Sequence, residues 1–308
     1  MSGLPSRVRI VEVGPRDGLQ HEPEVLSVDA RVAFIEALAD AGLPVIEVGA
    51  FVRPDRVPQM AATDEVVRRL PSRPGIRYLA LVPNRRGLER AFGTGLAGVV
   101  VFPAASEAFS QANLGASIDA SLARFREVAA GAAAAGLWVR GVVSTAWWCP
   151  YSGPVEPDAV RRVAFALLEM GCEEVTLADT IGAATPVEVR ALLERLLREI
   201  ALHRLGVHLH DTRGTALANV LAALELGLAS VDASAGGLGG CPFAPGALGN
   251  LATEDLLYML HGMGIATGVD LEKVRSASLA LERALGRRVP SRYAQAGPLR
   301  PAGASRSV

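Results

Sequence analysis

The chain reads as a single (β/α)8 TIM barrel with its active site at the C-terminal ends of the strands, and three observations point there. Short apolar runs alternate with amphipathic stretches of helical spacing, strand before helix, eight times over. The units follow one another with no linker or low-complexity block until the tail. Polar residues collect at the C-terminal ends of the apolar runs, where such barrels carry their chemistry. A doubly wound open sheet is the competing fold, but eight regular units in one domain favour closure.

In order, residues 8–13 form the first predicted strand and 27–41 a helix with Ser27 as N-cap. Strand 44–49 precedes a helix over 59–70, and strand 77–82 a short helix over 85–92. Strand 97–102 leads to a long helix over 117–135, and strand 137–144 to a helix over 157–170. After strand 173–178, Thr185-Pro186-Val187-Glu188 is a capping box with proline at the first helical position. Strand 205–209 precedes a helix over 212–226, and strand 229–233 a helix over 253–263. Residues 1–296 thus make one barrel domain, and 297–308, rich in Pro, Gly, Ser and Arg, are expected to be a disordered tail.

Half of the 308 residues are apolar, ample for a core, and the formal net charge is −1. No basic face recommends nucleic acid and no polybasic anchor a membrane. Residues 233–253 carry no charge over 21 positions, but their glycines and prolines fit a mobile loop better than a membrane helix. Cys149, Cys172 and Cys241 lack paired spacing and fit a reducing compartment, so a cytoplasmic location is expected. A homodimer is left open.

The stretch richest in chemistry runs from His208-Leu209-His210-Asp211 to the glycine run Gly236–Gly240, Cys241 and Asn250. On a strand, residues two apart face the same side, so His208 and His210 point one way, as a pair of metal ligands must. The plainer alternative is two unrelated histidines, one in the core and one at the strand's end. Arg16-Asp17 follows the first strand and could equally be a surface ion pair. Glu47, inside Val45-Ile46-Glu47-Val48, is harder to dismiss, because a carboxylate at a buried barrel position needs a partner. Asn84 suits a helix cap, Ser106 and Ser144 suit turns, and Asp179-Thr180 could simply end a strand. Cys149 and Cys172 read as structural thiols, whereas Cys241 sits in a glycine loop where it would be accessible. Asp17, His208, His210 and an amide such as Asn250 would mix oxygen and nitrogen ligands. That set suits Mg²⁺ or Mn²⁺ with open positions for substrate more than a closed structural zinc.

Several motifs together carry a resemblance. They are Val11-Glu12-Val13-Gly14-Pro15-Arg16-Asp17-Gly18-Leu19-Gln20, Val57-Pro58-Gln59-Met60, Ala104-Ala105-Ser106-Glu107 and Cys149-Pro150-Tyr151. Asp179-Thr180-Ile181-Gly182, His208-Leu209-His210-Asp211-Thr212, the 236–241 loop and Gly249-Asn250-Leu251-Ala252-Thr253-Glu254-Asp255 continue it. From about residue 8 to about 296 the sequence resembles the 3-hydroxy-3-methylglutaryl-CoA lyases, in the metal-dependent barrel superfamily that also contains isopropylmalate synthases. The Cys241 loop and Gly18-Leu19-Gln20 are lyase-like, since the synthases usually carry glutamate in place of Leu19.

The resemblance implies a divalent cation held by Asp17, His208, His210 and Asn250, and an acyl-CoA thioester as partner. Arg16 would stabilise an enolate, Glu47 and Asp179 would orient groups and help move protons, and Cys241 would serve as acid/base on a mobile loop. Gln20, Ser106, Ser144, Thr180 and Trp148 would touch substrate. The implied reaction is retro-Claisen cleavage to acetyl-CoA and a keto acid, acetoacetate for the parent substrate. Alternatives are a condensing enzyme of the same superfamily, a phosphate-binding barrel using 236–240 as its anion loop, and a non-catalytic binding barrel. Departures from the resembled lyases are Trp148 before Cys149, Ala50, Phe243, His21, and Gln111-Ala112 where lysines often stand. They predict either a rebuilt acyl pocket or drift.

Overall fold

The computed structural model describes residues 3–240 and 249–299. Cys241, Phe243 and the tail from residue 300 lie outside the described residues. Among the described residues, eight parallel strands close into a barrel in the order β1-β8-β7-β6-β5-β4-β3-β2. They are β1 (Arg9–Glu12), β2 (Val45–Ala50), β3 (Arg77–Leu81), β4 (Gly98–Val101), β5 (Trp138–Val143), β6 (Glu174–Asp179), β7 (Leu205–Leu209) and β8 (Ser230–Ala233). Closure pairs Arg9 with Ser230 and Glu12 with Ala233. The helices are α1 (Val28–Asp40), α2 (Thr63–Arg69), α3 (Arg85–Ala91), α4 (Glu107–Leu114), α5 (Ile118–Ala134) and α6 (Pro157–Glu169). They continue with α7 (Pro186–Leu196), α8 (Ala216–Leu224), α9 (Thr253–Gly262), α10 (Leu271–Leu285) and α11 (Arg292–Ala296).

Local chemistry explains the element ends. Ser27 Oγ accepts the Ala30 N–H at 3.2 Å, which caps α1. Asn84 Oδ1 accepts the Gly87 N–H at 3.0 Å and caps α3. The Thr185 N–H and hydroxyl both donate to Glu188 Oε2, at 2.8 and 2.7 Å, at the start of α7. The helix predicted over 59–70 is two pieces, a single turn at Pro58–Met60 and α2. They part at Ala62, whose φ is 54°. The buried Arg31 guanidinium donates to Ala61 O at 2.6 Å and to Thr63 Oγ1 at 3.3 Å, and this pulls the break inward.

Three helices exceed the eight-unit pattern. α4 fills the connection between β4 and α5. α10 starts at Asp270, whose Oδ1 accepts the Glu272 and Lys273 N–H groups at 3.0 and 3.1 Å. α11 is tied down by Asp255, which accepts from Ser291 Oγ–H at 3.0 Å and from the Arg292 and Tyr293 N–H groups at 3.1 and 2.8 Å. Among the described residues no helix is long and apolar enough to cross a membrane.

Every residue of β2, β6 and β7 is buried, as expected of a parallel sheet covered by helices. The barrel interior is more charged than apolar strand runs alone would suggest. Glu12, Glu47, Arg140, Glu174 and Asp232 are all strand residues with at most 2% exposure. Glu47, Arg140, Glu174 and Asp232 occupy the inside of the barrel, beneath the mouth where the polar loops converge, whereas Glu12, in register with Ala233 rather than Asp232, faces the helix layer and accepts from the Thr253 hydroxyl.

Candidate active site

The floor of the mouth is set by the turn that follows β1. Gly14–Gly18 winds as a π-helical turn, with the N–H groups of Arg16, Asp17 and Gly18 all directed at Val13 O, at 3.1, 2.7 and 3.2 Å. Such widened turns are enriched at functional sites because they re-aim side chains. Here the turn buries Asp17 next to the two strand histidines. His208 Nε2 and His210 Nε2 lie 3.1 Å apart, and Asp17 Oδ2 is 3.7 and 3.6 Å from them. Ligands at right angles on an ion with bonds of about 2.1 Å sit about 3 Å apart, so the set fits one small hard cation. Asp17, His208 and His210 are the group of buried ligand atoms close enough for this among the described residues.

Asn250 joins them by strand-like pairing. The Leu251 N–H donates to Leu209 O at 3.0 Å and the Asp211 N–H to Gly249 O at 3.0 Å, which lays Asn250 beside His210. Asn250 Nδ2–H donates to Asp17 Oδ2 at 2.9 Å and to Leu238 O at 3.0 Å. Both partners are acceptors, which fixes the amide orientation. Its Oδ1 is left buried with no partner among the described residues. An orphaned buried oxygen is costly unless a donor or cation meets it. Together with the facing histidine nitrogens, it shows that the residues present fit a divalent ion. Gly239 (φ 126°) stands where a Cβ would lie 2.5 Å from Asn250 Nδ2, so only glycine lets the loop pass. Cys241, two residues on, lies outside the described residues.

A buried charge network organises the cluster from below. Arg16 Nη1 donates to Asp17 Oδ1 at 2.5 Å and Nε to Glu47 Oε2 at 2.8 Å. Glu47 Oε1 accepts from Arg140 Nη1 at 3.3 Å. Arg140 also donates to Asp232 Oδ2 at 3.1 Å, Glu174 Oε1 at 2.9 Å and Thr176 Oγ1 at 2.6 Å. Asp232 Oδ2 accepts from His208 Nδ1 at 3.2 Å. That bond places the His208 proton on Nδ1 and leaves Nε2 as a ligand. Burial works against charge in all these groups. For Asp17, Arg16 and the two histidines outweigh it and hold the carboxyl well below its ordinary range. For His208, the hydrogen bond and charge of Asp232 outweigh it and raise the pKa. Arg140 and Asp232 escaped the sequence reading. The available signal was a charge at alternate positions of a predicted strand, in Trp138-Val139-Arg140 and Ser230-Val231-Asp232.

Above the cluster opens a cleft of about 990 Å³. Arg16, Asp17, His208 and His210 lie on it, as do Gln20, His21, Ser144 and Thr180. Thr180 Oγ1 accepts the Thr145 N–H at 2.8 Å. Glu47 lies beneath the cleft, bridged between two guanidinium groups. Asp179 is also sunk: its oxygens accept the Ala183 and Ala184 N–H groups at 3.0 and 2.9 Å. Burial nevertheless raises its pKa.

Two expected substrate contacts are not on the cleft. Ser106 is buried as the N-cap of α4, with its hydroxyl donating to Cys149 Sγ at 3.0 Å and lying 3.3 Å from Ser152 Oγ. Trp148 sits in a short hairpin, Trp148–Cys149 against Gly153–Pro154, and its indole N–H donates to Glu188 Oε1 at 2.9 Å. The indole is thereby turned to the start of α7, where the capping glutamate offers it an acceptor. Cys149 and Cys172 are buried free thiols, and burial pushes Cys172 up to about 12. A second carboxyl pair anchors the glycine run. Glu12 accepts the Gly14 and Ala235 N–H groups at 2.7 and 2.8 Å and the Thr253 hydroxyl at 2.7 Å. Glu254 takes the Gly236 N–H at 2.9 Å. Burial pushes each of these carboxyls up to about 7.

Fold and cluster together define a barrel protein with a candidate metal centre at the mouth of its strands. The chain belongs to the HMGL-like family, whose model matches residues 7–280. It is 54% identical over 279 residues to the hydroxymethylglutaryl-CoA lyase of Pseudomonas mevalonii, spanning 91% of this chain and 93% of that protein. The crystal structure of the hydroxymethylglutaryl-CoA lyase from Pseudomonas aeruginosa superimposes with a TM-score of 0.93 at 48% identity, covering 95% of this chain and 98% of that one. An HMG-CoA lyase from Acinetobacter baumannii, solved with coenzyme A and 3-methylmalate, matches with a TM-score of 0.92 at 37% identity, over 98% of this chain and 99% of that one.

Proposed function

We propose that this protein cleaves 3-hydroxy-3-methylglutaryl-CoA, or a close 3-hydroxy-3-alkylglutaryl-CoA thioester, to acetyl-CoA and a keto acid. The observation that carries the reading is the convergence of a clamped guanidinium, Arg16, with a cation-shaped set of Asp17, His208 and His210 on one cleft floor, next to Asn250 with its orphaned oxygen. The names of relatives covering more than nine-tenths of the chain support it. Asp17, His208, His210 and Asn250 would hold Mg²⁺ or Mn²⁺. When bound, such an ion supplies Lewis-acid polarisation of adjacent substrate oxygens.

The remaining chemistry belongs to the chain. The C3 hydroxyl gives up its proton to the Cys241 thiolate, acting as acid/base, its electron pair forms the keto-acid carbonyl, and the C2–C3 bond breaks. The bonding pair moves into the thioester as an enolate, where the Arg16 guanidinium stabilises the new charge. The enolate carbon then takes a proton to give acetyl-CoA, the step we assign to Cys241. Glu47 holds Arg16 rather than meeting substrate. Asp179 holds the 180–184 turn, which places Thr180 on the cleft.

Two outcomes test the reading. Thorough chelation should abolish acetyl-CoA release in a coupled assay, and added Mg²⁺ or Mn²⁺ should restore it. Full turnover in protein shown by metal analysis to be metal-free would remove the cation from the mechanism. Trp148→Gly should leave the order of preference among 3-hydroxy-3-alkylglutaryl-CoA thioesters unchanged. It should instead lower unfolding stability by about 2–3 kcal/mol, through lost packing and an unpartnered Glu188 oxygen. A changed ratio of kcat/KM values across that panel would put Trp148 back in the acyl pocket.

A further inference from the structure

The cation ligands come from stretches far apart in sequence: Asp17 from the turn after β1, His208 and His210 from β7, and Asn250 from the segment entering α9. The glycine run 236–240 joins them, since Leu238 O accepts from Asn250 Nδ2–H. One later stretch, residues 287–293 between the end of α10 and the first turn of α11, is bonded to all four. Arg287 Nε donates to Glu22 Oε2 at 2.9 Å and Nη2 donates to Glu22 Oε1, a fork on a buried carboxylate. The Glu22 N–H donates to Leu19 O at 3.1 Å, which ties that carboxylate back to the turn bearing Asp17. The Ser291 N–H donates to Gly236 O at 2.8 Å. Arg292 Nη1 donates to Asp211 Oδ2 at 2.8 Å, one residue beyond His210. Asp255, on the first turn of α9 just past Asn250, accepts from Ser291 Oγ–H and the Arg292 N–H.

Seating the last helices does not explain the two arginines. α10 is held by the buried Val274, Ala277, Leu281 and Leu285, and α11 by Ala294. The Arg287 and Arg292 side chains are 42% and 61% exposed, so each pair adds little to global stability. Their partners, however, are buried and fixed at more than one point. Besides Arg292, Asp211 engages the Ala216 N–H through Oδ1 at 3.0 Å, and its own N–H donates to Gly249 O at 3.0 Å. A group bonded this way passes its position on to the ligand beside it, as partners behind metal ligands do.

We propose that Arg287 and Arg292 are positioning residues for the metal centre. Through Glu22 and Asp211 they set the spacing between the Asp17 turn and the histidine end of β7. The proposal rests on the reading of Asp17, His208, His210 and Asn250 as cation ligands. A small hard cation demands a narrow range of ligand spacing, so slack in either stretch weakens its binding. Coulomb's law alone predicts the opposite. Replacing both arginines by glutamine removes two positive charges and strands two carboxylates, which by itself tightens cation binding. The sign of the change in affinity therefore separates positioning from bulk electrostatics.

The test uses the full chain stripped of metal by chelation, as parent and as R287Q/R292Q. Calorimetric titration with Mn²⁺ should give a dissociation constant about tenfold higher in the variant, at the low end for losing groups that orient ligands. Amide exchange of the metal-free proteins should accelerate about tenfold at Arg16, Asp17, Gly18 and Asp211, with β3, β4 and β5 at parental rates, because the opening is local. Equal or tighter Mn²⁺ binding by the variant overturns the positioning role. So does exchange that rises equally around the barrel, which is global loosening. If the parent itself binds no Mn²⁺, the ligand reading fails, and local exchange then decides whether Arg287 and Arg292 hold the two stretches.

Discussion

Arg16→Gln should lower kcat for thioester cleavage by about a hundredfold to a thousandfold while KM moves little, as for loss of a single well-placed oxyanion donor. Two carboxylates hold the guanidinium: Asp17 at Nη1 and Glu47 at Nε. Nη2 has no partner among the described residues, and Arg16 lies on the cleft, so one donor edge remains for substrate. Burial disfavours its charge, but Asp17 and Glu47 more than compensate and raise its pKa, so the cation persists at any working pH. A donor fixed before substrate arrives needs no reorganisation as charge develops. Glutamine is shorter and neutral, and it breaks the clamp. Circular dichroism and metal content should show the variant folded and loaded. If kcat is parental and only KM rises, Arg16 binds the ground state and the enolate needs another partner.

Much of the site was legible because its parts announce themselves over short distances. His208 and His210 share a strand face by spacing alone, and Glu47 stood out as a carboxylate inside an apolar run. Asp17 and Asn250, 233 positions apart, came together because a barrel gathers its strand ends at one mouth, and the resemblance implied the same ligand set. The barrel itself followed from alternation of apolar runs and helical faces. What stayed hidden falls into two kinds. α10 carried a visible signal, a capping Asp270 with buried Val274, Ala277, Leu281 and Leu285 at helical spacing, but eight units already completed the barrel. Trp148 and the Arg140–Asp232 contact are different, because side-chain partners across the barrel or on another helix cannot be read from local pattern. The resemblance put Trp148 against substrate, yet its indole is held by Glu188, 40 positions away. Asp211 and Asp255 sit within the motifs of the resemblance but serve architecture: Asp211 accepts from Arg292 Nη1 at 2.8 Å, and Asp255 caps α11.

Arg140→Met should cost about 3–5 kcal/mol of unfolding free energy, the range for removing one partner from a buried ionic cluster. Arg140 has no exposed surface, and it donates to Glu47, Glu174 and Asp232, none more than 2% exposed. Counting Arg9, which pairs with Glu174, and Arg16, which pairs with Asp17 and Glu47, the cluster holds three guanidinium groups against Asp17, Glu47, Glu174 and Asp232, a balance of 3 − 4 = −1 before any ion or proton joins it. Methionine fills similar volume but leaves the balance at −2, in an interior where water cannot screen it. The effect should reach the chemistry as well. Asp232 is shared between Arg140 and His208 Nδ1, and Glu47 between Arg140 and Arg16, so both the histidine proton and the Arg16 clamp lose a fixed point. Urea unfolding gives the stability change, and Arg140→Met/Asp232→Asn tests the coupling. The second substitution should recover part of the loss, because it removes one of the stranded charges. A single-variant loss below about 1 kcal/mol, or a double variant whose losses simply add, would mean that the interior carboxylates are not held by Arg140 as a unit.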